Sequence, residues 1–150
     1  MKPTAWVYSL FFVFLFTFVS GNAQDTDFKQ RRWRPDQSNF ENYVREAYGE
    51  KADELVFDRP SRLKTLKNLF ANSFIFVENG PGIKVPEYFP ELSTVPLVKR
   101  YNSSLTRNSF DPNTFNPFKY EFNFYSKERQ FFHVDGTNYF IIIEPFQIRE

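Results

Sequence analysis

The chain has 150 residues, with 19 Lys and Arg against 18 Asp and Glu, one histidine and no cysteine. That length allows one domain with a real core and excludes two comfortable ones. The near-neutral balance gives no field to draw the chain to nucleic acid or an anionic membrane, and the missing thiols exclude disulfides, thiolate metal sites, a cysteine nucleophile and lipid attachment at cysteine.

Residues 1–23 carry the pattern of a secretory signal peptide. Lys2 supplies the positive end, Ala5 to Val19 is uncharged and mostly apolar, and Ser20-Gly21-Asn22-Ala23 offers small residues to a signal peptidase. A membrane anchor would need about 20 apolar residues. This run is shorter and ends without a basic flank, so cleavage is expected between Ala23 and Gln24, leaving a periplasmic or secreted chain with no membrane attachment. Lys2 is the only charge removed, so the 19 basic residues fall to 18 and balance the 18 acidic ones. The chain holds 21 Phe, 8 Tyr and 2 Trp, and the aromatic excess persists after the signal is gone. One reading is a core built from phenylalanine, and the other is a set of exposed rings that bind something.

Residues 24–37 are polar and read as a flexible lead-in. Within them Arg31, Arg32 and Arg34 surround Trp33, an arrangement that suits gripping a phosphate or carboxylate or stacking on a ring. The competing expectation is a solvated segment with Trp33 tucked onto the domain. The domain proper is expected over residues 38–150. Ser38 and Glu41 match a capping box. Phe40, Tyr43, Val44, Ala47 and Tyr48 then recur at helical spacing, and Gly49 suits a left-handed helix end. A second helix is predicted from Ser61 to Ala71, introduced by Pro60, with Leu63, Leu66, Leu69 and Phe70 as its apolar stripe and Arg62, Lys64 and Lys67 facing water. Phe74 to Val77 reads as a short strand, and Asn79-Gly80-Pro81-Gly82 as a turn.

From Asn79 to Pro117 six prolines exclude long helices and central strands. Val85, Phe89, Leu92, Val95 and Val98 are nonetheless too apolar for a free linker. The expectation is a proline-rich extended strap across the domain, with one edge strand near Leu97 to Tyr101, acting as a functional segment or as a cover for a sheet face. Two successive units, Ser109-Phe110-Asp111-Pro112 and Thr114-Phe115-Asn116-Pro117, share the form hydroxyl, Phe, Asx, Pro. Each should make a turn, placing Phe110 and Phe115 at a set separation. Phe118, Tyr120, Phe122 and Phe124 alternate with polar residues as in a half-buried strand. Gln130 to Val134 and Tyr139 to Ile143 follow as strands joined through Asp135-Gly136. The fold class is therefore α+β: two short N-terminal helices, the strap, and a C-terminal antiparallel β-meander.

No catalytic set emerges. His133 stands near Asp135 but across a turn, and no nucleophile is tied to it. One histidine and no cysteine leave no zinc cluster, and no cofactor is expected. Carboxylates for hydrolysis exist, among them Glu78, Glu87, Glu91, Glu121 and Glu144, but sequence does not pair them. The segment Asp111 to Tyr120, continued by Phe122-Asn123-Phe124 and Asp135-Gly136-Thr137-Asn138-Tyr139, looks like that of short exported proteins of flavobacterial type, as do the signal and Leu63 to Asn68. The resemblance implies an envelope location in a Gram-negative bacterium and supplies no activity. Two functions stay open. The first is a non-enzymatic envelope module binding a protein or glycan, with no nucleic acid, through Phe110, Phe115 and Phe118 together with Trp33, Arg32 and Arg34. The second is a small carboxylate-dependent hydrolase of cell-wall or carbohydrate material.

Overall fold

The computed structural model describes residues 30–146, so the signal, Ala23 and Gln24 lie outside the described residues. Four strands and two main helices make an α+β fold: β1 (Arg31–Trp33), α1 (Phe40–Tyr48), α2 (Pro60–Asn72), β2 (Phe74–Glu78), β3 (Gln130–His133) and β4 (Tyr139–Ile143). Among the described residues no helix is long and apolar enough to cross a membrane.

The expected face of α1 is the buried one: Phe40, Tyr43, Val44, Ala47 and Tyr48 all point inward. Its capping differs from the capping box. A 3₁₀ turn over Gln37–Asn39 precedes the helix, and Asp36 caps that turn by accepting the Ser38 N–H at 2.9 Å. Ser38 already lies inside the turn, so Glu41 has no cap to complete and instead pairs with Arg45 one helical turn on, at 3.1 Å. Gly49 takes a φ of 57°, which ends the α-helix as expected. The chain then resumes helical turns, with a 3₁₀ turn over Gly49–Lys51 and a π-type turn over Asp53–Phe57 that bury Ala52 and Val56.

Helix α2 starts on Pro60, whose missing N–H costs nothing at the first helical position. Leu66, Leu69 and Phe70 are buried. Arg62 departs from its expected place in water and lies half-buried against α1. At the other end Arg34 donates to the carbonyls of Ala71, at 3.4 Å, and Asn72, at 2.5 Å, satisfying acceptors that the last turn leaves open.

The strands form one antiparallel sheet in the order β1-β2-β4-β3. β4 is central, as its uninterrupted apolar run predicts. Trp33 pairs with Phe76, so the arginine-rich segment begins the sheet at one edge and is no loose lead-in over these residues. One sheet face presents Phe74, Phe76, Ile141, Ile143 and Phe132 to the helices. The other carries Val77, Phe140 and Ile142, and the strap residues Val85 and Phe89 pack on it. Phe89 stacks on Phe131 at 4.8 Å and 13°. The strap is thus a cover here, holding residues of the outer face out of water.

The meander is incomplete. Residues 118–124 are not a strand: a 3₁₀ turn occupies Pro117–Lys119, and Tyr120 makes one isolated bridge with Leu97. The expected strand near Leu97 to Tyr101 is reduced to that same bridge. Proline explains both. Pro96 accepts from Glu121 N–H at 2.8 Å but has no N–H to return, and Pro117 fixes a turn where the strand would begin. The alternation of Phe118, Tyr120 and Phe122 does record burial, since all three rings enter the core. Lys119, expected on the wet side, is buried with them.

Asp135 holds the β3–β4 turn to the strap by accepting the Ser93 N–H at 3.0 Å. Its partial burial favours the neutral acid, but the hydrogen bonds from Ser93 outweigh this and hold the carboxyl below the usual aspartate range. A carboxyl depressed in the folded state adds stability that is present above its unfolded pKa and lost as pH falls through the folded one. Stability should therefore decline below about pH 4. In Asp135→Asn part of that acid dependence should vanish, read as urea midpoints against pH, and an unchanged slope would remove Asp135 from the account.

Candidate functional site

The aromatic residues expected to form a binding row are spent on the interior. Both Asx-Pro units make the predicted turn: Asp111 Oδ1 accepts the Asn113 N–H at 2.9 Å, and Asn116 Oδ1 accepts the Phe118 N–H at 3.0 Å. They set the Phe110 and Phe115 ring centroids 5.2 Å apart. Those rings then close on Phe76, at 6.1 and 5.6 Å, while Phe118 lies 5.4 Å from Phe70. Phe115 and Phe118 are buried and Phe110 packs against the same core, so the turns organise packing and present no ring platform.

The arginine trio disperses. Arg31 reaches Glu78 at 3.9 Å, Arg32 bonds Gln30 at 3.0 Å in solvent, and Arg34 sits on the end of α2. Trp33 is tucked in, edge-on to Tyr139 at 6.0 Å. His133 and Asp135 do not act together: a ring nitrogen of His133 lies 2.8 Å from the Thr137 carbonyl, while Asp135 holds Ser93. Among the described residues no three His, Cys, Asp or Glu side chains gather as a metal site.

An open cleft of about 490 Å³ lies elsewhere, between the start of α2, residues 98–101 and residues 118–125. That volume is within the range of small-ligand sites. Leu66, Leu69, Phe118 and Phe122 supply apolar lining. The polar lining comes from Ser61, Arg62, Thr65, Arg100, Glu121 and Asn123, with Tyr125 standing 71% exposed.

Local structure places these groups. Pro60 fixes the first turn of α2, which aims Arg62 at the end of α1. There the Arg62 Nη2 donates to the Tyr48 hydroxyl at 3.2 Å, and the guanidinium carbon lies 5.6 Å from the Tyr48 ring centroid. Asn102 Nδ2 donates to the Glu46 carbonyl at 2.9 Å and pins the loop to α1. The pinned loop lays Tyr101 on Tyr48, stacked at 4.8 Å and 27°. Arg100 covers Tyr101 with its guanidinium 4.8 Å from the ring centroid.

Two guanidinium groups therefore flank a stacked tyrosine pair at one cleft. Among the described residues neither has a carboxylate within 4.0 Å. The Nε of Arg62 is buried without a hydrogen-bond partner. Burial opposes the Arg62 charge, but the Tyr48 hydroxyl that accepts from it, with Tyr101 close by, more than offsets this and raises its pKa. A fixed, charged fork suits a planar anion with two acceptor oxygens.

Two further features escape sequence reasoning. Lys119 Nζ meets Glu46 Oε1 at 2.8 Å, and Asn116 Nδ2 donates to Glu46 Oε2 at 2.9 Å. This pair ties the second Asx-Pro turn to α1. A smaller hollow of about 250 Å³, lined by Tyr88, Phe89, Pro90, Gln130, Phe131 and Phe132, is almost wholly apolar, and Tyr88 is 82% exposed beside it. The cleft itself had one sequence signal, Arg62 in the first turn of a helix, which reads equally well as a solvated face.

A comparison of the sequence with protein-family models finds no match, and comparisons with curated proteins and with solved structures find none either.

Proposed function

We propose that the protein is exported, by cleavage between Ala23 and Gln24, and serves in or beyond a bacterial envelope as a non-enzymatic binding module for a glycan or an envelope protein. The cleft beside α2 is its binding site. The observation that carries this reading is the half-buried Arg62 guanidinium, which faces a cleft of ligand size with no carboxylate to neutralise it. Held on a hydroxyl and a ring but paired with no carboxylate, the guanidinium keeps its charge for an anion that enters the cleft.

A hydrolase of the paired-carboxylate kind has less support. It needs two carboxyl groups at a defined separation across the substrate, and Glu121 is the one carboxylate lining the cleft among the described residues.

The export part is tested by mass spectrometry of the chain recovered outside the cytoplasm. An N-terminus at Gln24, open or cyclised, is expected, and a retained Met1 would refute cleavage. The binding part is tested by NMR mapping of envelope polysaccharide on the processed chain, with shifts expected around Arg62 and Tyr101 and a map that leaves the cleft untouched counting against it.

A further inference from the structure

We propose that the ligand of this cleft is an acidic saccharide, a sugar chain carrying carboxylate groups of the uronic-acid type, with Arg62 as the carboxylate anchor and Tyr125 as the ring that a sugar face stacks on. This rests on reading the cleft as the binding site and adds the chemical class of what enters it.

Three features converge on that class. The first is charge. Arg62 and Arg100 line the cleft with Glu121 as the opposing carboxylate, so the lining is net positive although the whole chain is near neutral. Arg62 is also pre-positioned. Its bond to the Tyr48 hydroxyl at 3.2 Å and its place over the Tyr48 ring fix the side chain before any ligand arrives, so less freedom is lost when a carboxylate docks.

The second feature is the remaining polar lining. Ser61 and Asn123 offer short hydroxyl and amide groups at the opening, and Thr65, whose hydroxyl donates to the Ser61 carbonyl at 3.0 Å, can still accept there, a set that suits a ligand rich in hydroxyls. An acidic peptide would instead seek apolar side-chain pockets or an open strand edge. Four of the apolar side chains of this cleft, Leu66, Leu69, Phe118 and Phe122, are themselves buried.

The third feature is Tyr125. It is one of three large hydrophobic side chains that stand exposed among the described residues, and the only one of them that lines this cleft. The Phe146 ring supports it edge-on at 6.0 Å and 82°, a geometry that leaves a face of Tyr125 open. A flat exposed ring and a guanidinium lining the same cleft offer the apolar face of a pyranose and its carboxylate separate partners.

The test uses the processed chain and calorimetric titration with oligogalacturonate, the same oligosaccharide as its methyl ester, and poly-glutamate. Oligogalacturonate should bind, with affinity falling as salt rises, and the neutral ester should bind about tenfold more weakly or worse. Arg62→Met should lose about the same factor, and Arg62→Lys, which keeps charge but not the fork, should recover part of it. Because Arg62 touches α1, Tyr125→Ala serves as an independent variant at an exposed position. It should weaken oligogalacturonate while leaving the circular dichroism spectrum unchanged. Equal binding of acid and ester would overturn the carboxylate anchor and leave a neutral-glycan module standing. Tighter binding of poly-glutamate would overturn the saccharide class. No binding of any probe by a folded chain would overturn the inference, while the mapping with envelope polysaccharide separately decides whether the cleft binds at all.

Discussion

Phe70→Ala should lower the free energy of unfolding by about 3–5 kcal/mol. Phe70 is fully buried on α2. Its ring meets Phe40 and Tyr43 of α1 at 5.8 Å each and Phe118 of the second Asx-Pro turn at 5.4 Å. Truncation therefore opens a cavity where both helices and the turn meet, and rigid rings on three sides collapse poorly into such a space. The loss adds the removed transfer energy to a cavity cost. Tyr88→Ala is the control: its ring is 82% exposed, so the change should stay within about 0.5 kcal/mol. Urea unfolding of both variants decides the matter. A Phe70→Ala loss below about 1 kcal/mol would mean that the aromatic excess does not build the core.

The second large effect concerns the buried lysine, and its sign depends on which partner is removed. Glu46→Ala should cost about 2–3 kcal/mol, because it strands the Lys119 ammonium in the interior and removes one of the two acceptors of Asn116 Nδ2, leaving the Tyr43 carbonyl. The lower part of the usual range applies because the Glu46 side chain is 41% exposed, so water already screens it, whereas Lys119 is 6% exposed. Lys119→Met should change stability by less than about 1 kcal/mol, since an apolar chain of similar length fills the space and Glu46 stays hydrated. The two together should recover most of the Glu46→Ala loss, read as a double-mutant cycle in urea. Equal costs for both single variants would show that the pair contributes as a unit and that desolvation does not govern it.

These two predictions also mark what the sequence exposes and what it hides. Periodicity places α1 and α2 because one helix face is buried along its length, and Pro60 dates the start of α2 through simple backbone chemistry. β2, β4 and the turn at Asp135-Gly136 are legible for the same local reasons. The Asx-Pro repeats are legible down to the hydrogen bonds, because an Asx side chain and a following proline act on their own backbone. Non-local events are hidden. Arg31 to Trp33 become a strand only because β2 offers an edge. Residues 118–124 have the alternation of a strand, yet pairing stops at one bridge: Val98 N–H reaches the Lys119 carbonyl at 2.9 Å, but Pro96 has no N–H to return to Glu121. Lys119 is polar in sequence and buried in fact, since its counter-charge sits on α1. The cleft belongs to this second group. Arg62, Tyr101 and Tyr125 are far apart in the chain, and nothing in their spacing announces a common site. The residues that do announce themselves, Phe110, Phe115 and Phe118, are conspicuous because the core needs them.

The rings of the Asx-Pro turns pack into the core, and the proposed recognition site is the arginine-lined cleft. The most direct measurement is a two-dimensional amide NMR map of the isotope-labelled processed chain, titrated with polysaccharide from a Gram-negative envelope. The expected shifts cluster at Arg62, Thr65, Arg100, Tyr101 and Asn123 to Tyr125, with little change at Phe110 to Phe118 or in the central strand β4. Shifts gathered instead around Tyr88, Phe89 and Phe131, or spread along the Asx-Pro turns with the cleft unmoved, would contradict this assignment.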